Sequence, residues 1–290
     1  MASTRDIRRR IKSVSSTAQI TRAMQMVAAS KMRKAQQAAL NGLPFAGLLY
    51  RFQRKVTKQA LDLSHPLLEV RPVRKRAVIL VGGDKGLCGA LNSNLFRLVS
   101  SFDPQSTVFI TAGRRAAQFV ARTRRKLFAE FTYGDSPRYP EAKMIAGCAR
   151  DLFLKGEVDE VYVVATRFIN TLTQEPISLL FLPVGPIKGP PLPGAPSEEE
   201  LAADATEYLF EPAPEALLEY LLSHYLNIYV YQVLLNAKAS EQSARMVAMK
   251  NATDNANTLV RTLTLEYNKA RQSKITTELL EIVGGQMGGN

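Results

Sequence analysis

Cysteine is scarce: Cys88 and Cys148 are the only two in 290 residues, and they stand far apart. That excludes a disulfide framework and suits a reducing compartment. The two histidines, His65 and His224, are also far apart and have no cysteine at ligand spacing, so a zinc site finds no support. Long apolar runs are missing. The most apolar stretch, Ala216 to Ala237, is broken by Glu219, His224, Asn227 and Gln232. It reads as a helix packed on a sheet rather than a membrane span. The N-terminus has arginines with no apolar segment behind them, so no signal peptide is expected. No Ser/His/Asp or Cys/His set stands out. The expectation is therefore no catalytic, cofactor-binding or metal-binding residue, and no independent enzyme.

The chain does contain a core. Its hydrophobic content is 46%, which argues against a largely disordered protein. Its net charge is +12, and the excess is local. Residues 1–60 hold thirteen Lys and Arg against the single acidic Asp6, whereas the remainder is close to balanced. A basic segment of this kind meets acidic protein, nucleic acid or anionic lipid, or is solvated.

Proline and glycine are absent from two long stretches. Ser3 with Asp6 resembles a capping box. From there to about Leu40 nothing interrupts a helix. Ile7, Ile11, Val14 and Ala18 fall at helical spacing; Met24, Ala28, Met32, Ala35 and Ala39 continue it after a small phase shift. Gly42 and Pro44 mark a weak point, and helical composition resumes to about Leu63. The second stretch follows Pro214 and reaches Val283, on the order of 105 Å if helical throughout. There Ala244, Ala248, Ala252, Ala256, Leu259, Leu263, Tyr267 and Ala270 form a narrow stripe rich in small residues, and Gly284 and Gly285 are expected to stop the helix. A helix this long with one narrow stripe needs a partner. The two terminal helices are therefore expected to pair antiparallel.

Between them the pattern alternates. Strands are expected at Ala77–Val81, Thr107–Thr111, Leu127–Tyr133, Val161–Phe168 and Ile177–Val184. Helices are expected at Leu87–Val99, Ala116–Ala121 and Glu141–Leu154. That alternation describes an α/β domain with a mainly parallel sheet. A Pro- and Gly-rich linker (Pro183–Pro196) and an acidic run (Glu198–Glu200) follow, with Tyr208–Phe210 as a candidate edge strand.

Gly82-Gly83-Asp84-Lys85-Gly86-Leu87-Cys88-Gly89 follows a strand and opens a helix, where phosphate-binding loops sit. It lacks the closing Gly-Lys-Ser/Thr of a Walker loop and does not fit the dinucleotide pattern, so a tight turn with a surface role is the better description. Cys88 at that helix start is expected to be a buried small side chain rather than a nucleophile. The basic N-terminal helix invites a nucleic-acid role. Residues 1–44 contain no aromatic residue, however, so base stacking is unavailable there.

Four segments carry a family resemblance: ITRAMQMVAASKMRKA from Ile20, GDKGLCGALN from Gly83, ASEQSARMVAMKNATDNA from Ala239 and NKARQSKITTELLEIVGG from Asn268. In that order and at that spacing they resemble the gamma subunit of the F-type ATP synthase, over nearly the whole chain. The fold the resemblance implies is α/β: a long antiparallel two-helix coiled coil from the N- and C-terminal segments plus a central Rossmann-like α/β domain. The implied organisation is residues 1–63 and 212–285 as the coiled coil, 72–211 as the foot domain and 286–290 as a tail. The implied function is a non-catalytic, asymmetric rotor shaft. It would couple proton or sodium translocation through a c-ring to ATP synthesis or hydrolysis in an alpha–beta hexamer.

The partners implied are the alpha and beta subunits, the epsilon subunit and the c-ring. One copy per complex is expected, with no nucleic acid and with membrane contact only through the ring. The absence of a leader before the first motif points to a bacterial protein, peripheral on the cytoplasmic face of the inner membrane. Carried over residue by residue, the resemblance implies beta-subunit contacts at Arg271, Gln272, Thr276, Met24, Arg22, Asp84 and Lys85. It implies an apolar bearing tip at Leu279, Leu280, Ile282 and Val283. Tyr208 and Glu211 would belong to the foot facing epsilon and the ring. An apolar tip suits a turning bearing because burial has no preferred direction, whereas polar contacts lower down tie angle to chemistry.

Overall fold

The computed structural model of the chain describes residues 3–59, 65–184 and 214–287. Its contacts divide it into two compact units, Met1–Ala28 with Arg245–Asn290, and Ala29–Ala244. Each of the two long helices, α1 (Thr4–Gln59) and α5 (Pro214–Met287), contributes one part to each unit.

In the first unit the two helices make a two-stranded seam. Ser3 caps α1: its Oγ accepts the N–H of Arg5 at 3.3 Å and its carbonyl accepts from Asp6 and Ile7. The seam of α1 runs through the buried or half-buried Ile7, Ile11, Val14, Ala18, Thr21, Gln25 and Ala28, with Thr4, Ser15 and Met24 half-buried beside it. The seam of α5 runs through Met249, Thr253, Ala256, Val260, Leu263, Tyr267 and Ala270, with residues 245–248 and Ala252 buried or half-buried beside it. Both sets alternate steps of four and three, the repeat of a left-handed coiled coil. Two expectations change here. The seam does not shift phase after Ala18, because Thr21 occupies the place an apolar residue would take. Leu259 is 44% exposed, and Val260 faces inward instead. A 3.5-residue seam drifts away from the wider stripe that apolar counting follows.

The second unit holds a five-stranded sheet. Its strands are β1 (Arg76–Val81), β2 (Thr107–Ala112), β3 (Lys126–Phe131), β4 (Glu160–Phe168) and β5 (Gln174–Leu182), in the spatial order β3-β2-β1-β4-β5. The first four are parallel, and β5 pairs antiparallel with β4. Because β1 is central and covered on both faces, it is a continuous apolar run rather than an alternating one. One face, through Val78, Leu80, Phe109 and Val164, packs on α2 (Leu91–Val99) and α3 (Arg114–Arg122). The other, through Ile79, Val81, Ile110 and Val163, packs on α4 (Tyr139–Leu154) and on Leu222, Leu226, Val230 and Leu234 of α5. This is a doubly wound, Rossmann-like arrangement in which α5 itself forms part of one helical layer.

Within the same unit α1 runs antiparallel to α5. Lys31 and Lys238 both reach Asp135, and fourteen residues further along α1 Phe45 meets His224, fourteen residues earlier in α5. Between these points the helices touch closely, since a Cβ on Gly42 would run into Gln232 Nε2. Contact of this kind accounts for α1 continuing unbroken through Gly42 and Pro44 to Gln59, where the sequence marks a weak point. A proline inside a helix costs about 3 kcal/mol, which tertiary packing offsets.

Two further expectations are corrected. α2 begins at Leu91 rather than Leu87, because Leu87 and Gly89 adopt φ of 62° and 59°, left-handed values that a right-handed helix excludes. At the other end α5 does not stop at Gly284 and Gly285 but runs to Met287. Glycine weakens a helix by about 1 kcal/mol and terminates it only where it turns left-handed.

Candidate functional site

The carboxyl ends of the parallel strands are where doubly wound folds hold ligands. Here β1 leads into Gly82-Gly83-Asp84. Asp84 Oδ1 accepts the N–H of Arg114 at 3.0 Å, placing a carboxylate at the positive end of α3. Gly113 precedes that helix with φ of 98°, and its absent side chain leaves room for the carbonyl of Gly82, which a Cβ would overlap. Tyr133, buried in the β3–α4 connection, donates its hydroxyl to the same carbonyl at 3.0 Å. Burial, with the carboxylates of Glu241, Asp84 and Glu141 adding to it, holds the phenol well above its ordinary pKa, so it remains a donor.

The crevice at these strand ends is filled by the chain's own α5. A Cβ on Gly83 would stand 3.1 Å from the carboxyl carbon of Glu241, which is 2% exposed. Lys238, equally buried, sends its ammonium to Glu241 Oε2 and to Asp135 Oδ1, both at 3.2 Å, and over the ring of Tyr133 at 5.4 Å. Asp135 also receives Lys31 at 2.5 Å. That hydrogen bond, aided by the charge of Lys238 and opposed by desolvation, lowers the Asp135 carboxyl from 3.8 to about 2. Lys31, Asp135, Lys238 and Glu241 thus form one linked chain of alternating charge. In the same segment, Ser240 Oγ donates to the carbonyl of Thr166 at 3.3 Å, and Ser243 Oγ donates to that of Thr171 at 2.8 Å.

The Glu241 carboxyl lies against Gly83 of the glycine turn, where its negative charge would repel a phosphate, which opposes the nucleotide-binding alternative. Cys88 is buried, as expected, and accepts from Asn92 Nδ2 at 3.4 Å. Among the described residues no group of three or more His, Cys, Asp or Glu is arranged to hold a metal.

The sequence did not single out this cluster. Its visible signal is a Lys and a Glu three apart, Lys238 and Glu241, on one face of a largely apolar or small stretch, Val233 to Glu241, where a charge has to be buried with a partner.

The residues carried over from the family lie elsewhere, mostly at the surface. Arg271, Gln272 and Thr276 belong to a ten-residue stretch, 271–280, that is exposed throughout. Thr276 Oγ1 bonds back to the carbonyl of Gln272 at 3.0 Å, and Lys274 pairs with Glu278 at 3.4 Å. Leu279 and Leu280 are 57% and 67% exposed. Ile282 and Val283 lie within α5, which continues past them. On α1, Arg22 is exposed and Met24 half-buried at the flank of the seam. Asp84 is half-buried and Lys85 exposed. Tyr208 and Glu211 lie outside the described residues, as do the linker from residue 185 onward, the acidic run and the candidate edge strand.

Comparison with known proteins gives a consistent result. A family model described as ATP synthase matches residues 3–287. The ATP synthase gamma chain of Opitutus terrae, a bacterial relative, is 47% identical over 296 residues, spanning 99% of this chain and 98% of that one. In the central stalk and c-ring structure of the Tetrahymena thermophila mitochondrial ATP synthase, one chain is 25% identical with a TM-score of 0.61. The match covers 80% of this chain and 99% of that one. A chain of the Euglena gracilis mitochondrial ATP synthase shares the fold, with 17% identity and a TM-score of 0.68 over 98% of this chain and 94% of that one.

Proposed function

Because this chain belongs to the ATP synthase gamma-chain family, we propose that it acts as the central-stalk rotor subunit of a bacterial enzyme. In that role it turns inside a hexamer of alpha and beta subunits and couples ion translocation through a c-ring to ATP synthesis or hydrolysis. It carries no catalytic residue of its own. One copy serves each complex, which also includes epsilon, on the cytoplasmic face of the membrane. The coupling ion, proton or sodium, is chosen in the ring. Consistent with a peripheral subunit, no helix among the described residues is long and apolar enough to cross a membrane.

The observation that carries this reading is the exposed stretch 271–280 of α5. A helix that keeps its course with ten successive residues open on every side, leucines included, is built to be surrounded. Arg271, Gln272 and Thr276 offer donors and acceptors to beta-subunit loops, and Leu279 and Leu280, with Ile282 and Val283, form the bearing. Arg22 and Met24 on α1, and Asp84 and Lys85 on the glycine turn, face beta lower down. Tyr208 and Glu211 belong to the foot against epsilon and the ring. Each charge moved through 100 mV supplies about 2.3 kcal/mol, so several translocation steps are summed per ATP, and the shaft must carry that energy without unwinding.

Reconstitution tests the proposal. The chain is mixed with its cognate alpha and beta subunits, and ATP hydrolysis and complex mass are measured. A complex holding one copy, with hydrolysis that depends on it, is expected. No complex, with hydrolysis unaffected, would sink the proposal.

A further inference from the structure

Apolar packing alone leaves α5 poorly fixed on the sheet. Leu222, Leu226, Val230 and Leu234 hold it there by burial, which has no preferred direction and resists rolling or sliding of the helix only weakly. At its start α5 is tied to the neighbouring helix α4, by Ser223 to Arg150 at 3.3 Å and His224 to Tyr139 at 3.1 Å. The side-chain contacts to the strand ends themselves are concentrated in one short segment, residues 238–243. Glu241 closes on the turn after β1, and Lys238 reaches Asp135 in the connection after β3. Ser240 bonds the end of β4, and Ser243 bonds the β4–β5 turn, where Gln174 Nε2 also meets it at 3.4 Å. A turn and a half of helix is thereby keyed to three strand ends and a hairpin. Four of these side chains, Lys238, Ser240, Glu241 and Ser243, are 2% exposed or less.

Burying an ammonium and a carboxylate is a poor way to gain stability, because apolar residues of the same size serve as well or better. What such groups fix is one geometry. We propose that segment 238–243, centred on Lys238 and Glu241, is a torsional key: it sets the angle of α5 on the α/β sheet, so that torque entering the α/β domain passes into the shaft without slip. The proposal rests on the rotor reading above and assigns the cluster a positioning role, with no direct contact to nucleotide or ion. Without the key the helix still packs, but the joint yields and absorbs part of each step.

The test uses the whole enzyme in inverted membrane vesicles. Lys238→Met with Glu241→Gln removes both charges at nearly constant volume. The readouts are the amount of this chain in the complex, ATP hydrolysis, and ATP-driven ion uptake followed by a pH-sensitive dye or radioactive sodium. The double variant is expected to assemble in normal amount while ions pumped per ATP hydrolysed fall about fivefold; Lys238→Arg, which keeps the charge, is expected to stay within twofold of the parent. Ser243→Ala, a milder change, is expected to lower the same ratio about twofold, and it decides the question if the double variant fails to assemble. A pumping ratio equal to the parent's in the assembled variants overturns the proposal. So does a loss of hydrolysis and pumping in step with lost assembly for both the double variant and Ser243→Ala, since that marks a merely structural cluster. Parent vesicles whose hydrolysis does not depend on this chain would instead refute the rotor reading itself.

Discussion

Thr21 of α1 and Thr253 of α5 face each other inside the helical seam with their hydroxyl oxygens 2.7 Å apart. Two protons serve this pair: one hydroxyl donates to the other, and the accepting one donates to its own helix, either Thr21 to the carbonyl of Ala18 at 3.1 Å or Thr253 to that of Met249 at 2.8 Å. The pair is therefore a satisfied polar layer in a coiled coil that is otherwise narrow and rich in alanine. Such layers specify register more than they add stability.

Replacing one member by valine leaves the other hydroxyl with only its own backbone carbonyl. Thr21→Val or Thr253→Val is expected to lower the stability of the full chain by about 1 kcal/mol, while the double variant returns to within about 0.5 kcal/mol of the parent. A double-mutant cycle by urea denaturation reads the coupling directly. Additive losses would mean that the two hydroxyls do not interact.

Gly113 supports a sharper expectation. Alanine there must adopt φ near 98° and drive its Cβ into the Gly82 carbonyl, which Tyr133 also needs. Gly113→Ala is expected to cost about 3 kcal/mol or more through strain and the lost bond. Gly89 has φ of 59°, but nothing lies within 4 Å of the place a Cβ would take, so Gly89→Ala should cost only about 1 kcal/mol. Thermal denaturation of the two variants side by side separates crowding from backbone conformation.

Much of this architecture was legible in the sequence, for identifiable reasons. The proline- and glycine-free stretches marked both long helices, and the alternation from Ala77 to Val184 marked the sheet and its layers. What escaped detection was polar and buried. Thr21 and Thr253 belong to the seam but are invisible to a count of apolar residues, so the expected stripe followed Leu259 instead of Val260. Lys238 and Glu241 are neighbours on α5, but Asp135, Lys31 and Gly83 lie far from them along the chain, and only the fold brings these groups together. The surface positions Arg271 and Gln272 came from resemblance alone, since exposure throughout residues 271–280 gives no periodic signal.

Asp135 makes the stability of the chain depend on acid. Its folded carboxyl titrates at about 2, below the 3.8 of the free group, chiefly because Lys31 donates to it. A carboxyl depressed in the folded state contributes stability above the unfolded value and loses it as pH falls through the folded one. The contribution is therefore full above about pH 4 and disappears towards pH 2. Asp135→Asn and Lys31→Met are each expected to flatten the stability curve across that window, with little change in its slope above pH 5. Denaturation midpoints collected from pH 2 to 6 test this. A parent and variant with parallel curves below pH 4 would separate Asp135 from the acid response.

The exposed end of α5 separates folding from function most cleanly. Arg271 and Gln272 are open to solvent, so Arg271→Ala with Gln272→Ala should shift the stability of the isolated chain by no more than about 0.5 kcal/mol. If both side chains make charged or neutral hydrogen bonds to beta-subunit loops, their loss removes roughly 1.5–3 kcal/mol of interaction, on the order of a tenfold or greater fall in hydrolysis by the reconstituted complex. Leu279→Ser with Leu280→Ser probes the bearing in the same way but with the opposite selectivity. Removing two apolar side chains that a collar would bury should weaken retention in the complex, while each turnover of the assembled enzyme changes little, because burial sets no angle. Hydrolysis measured per assembled complex, beside the fraction assembled, distinguishes the two sites. A polar double variant that hydrolyses ATP like the parent would remove Arg271 and Gln272 from the contact, and a serine double variant retained like the parent would remove the leucines from the bearing.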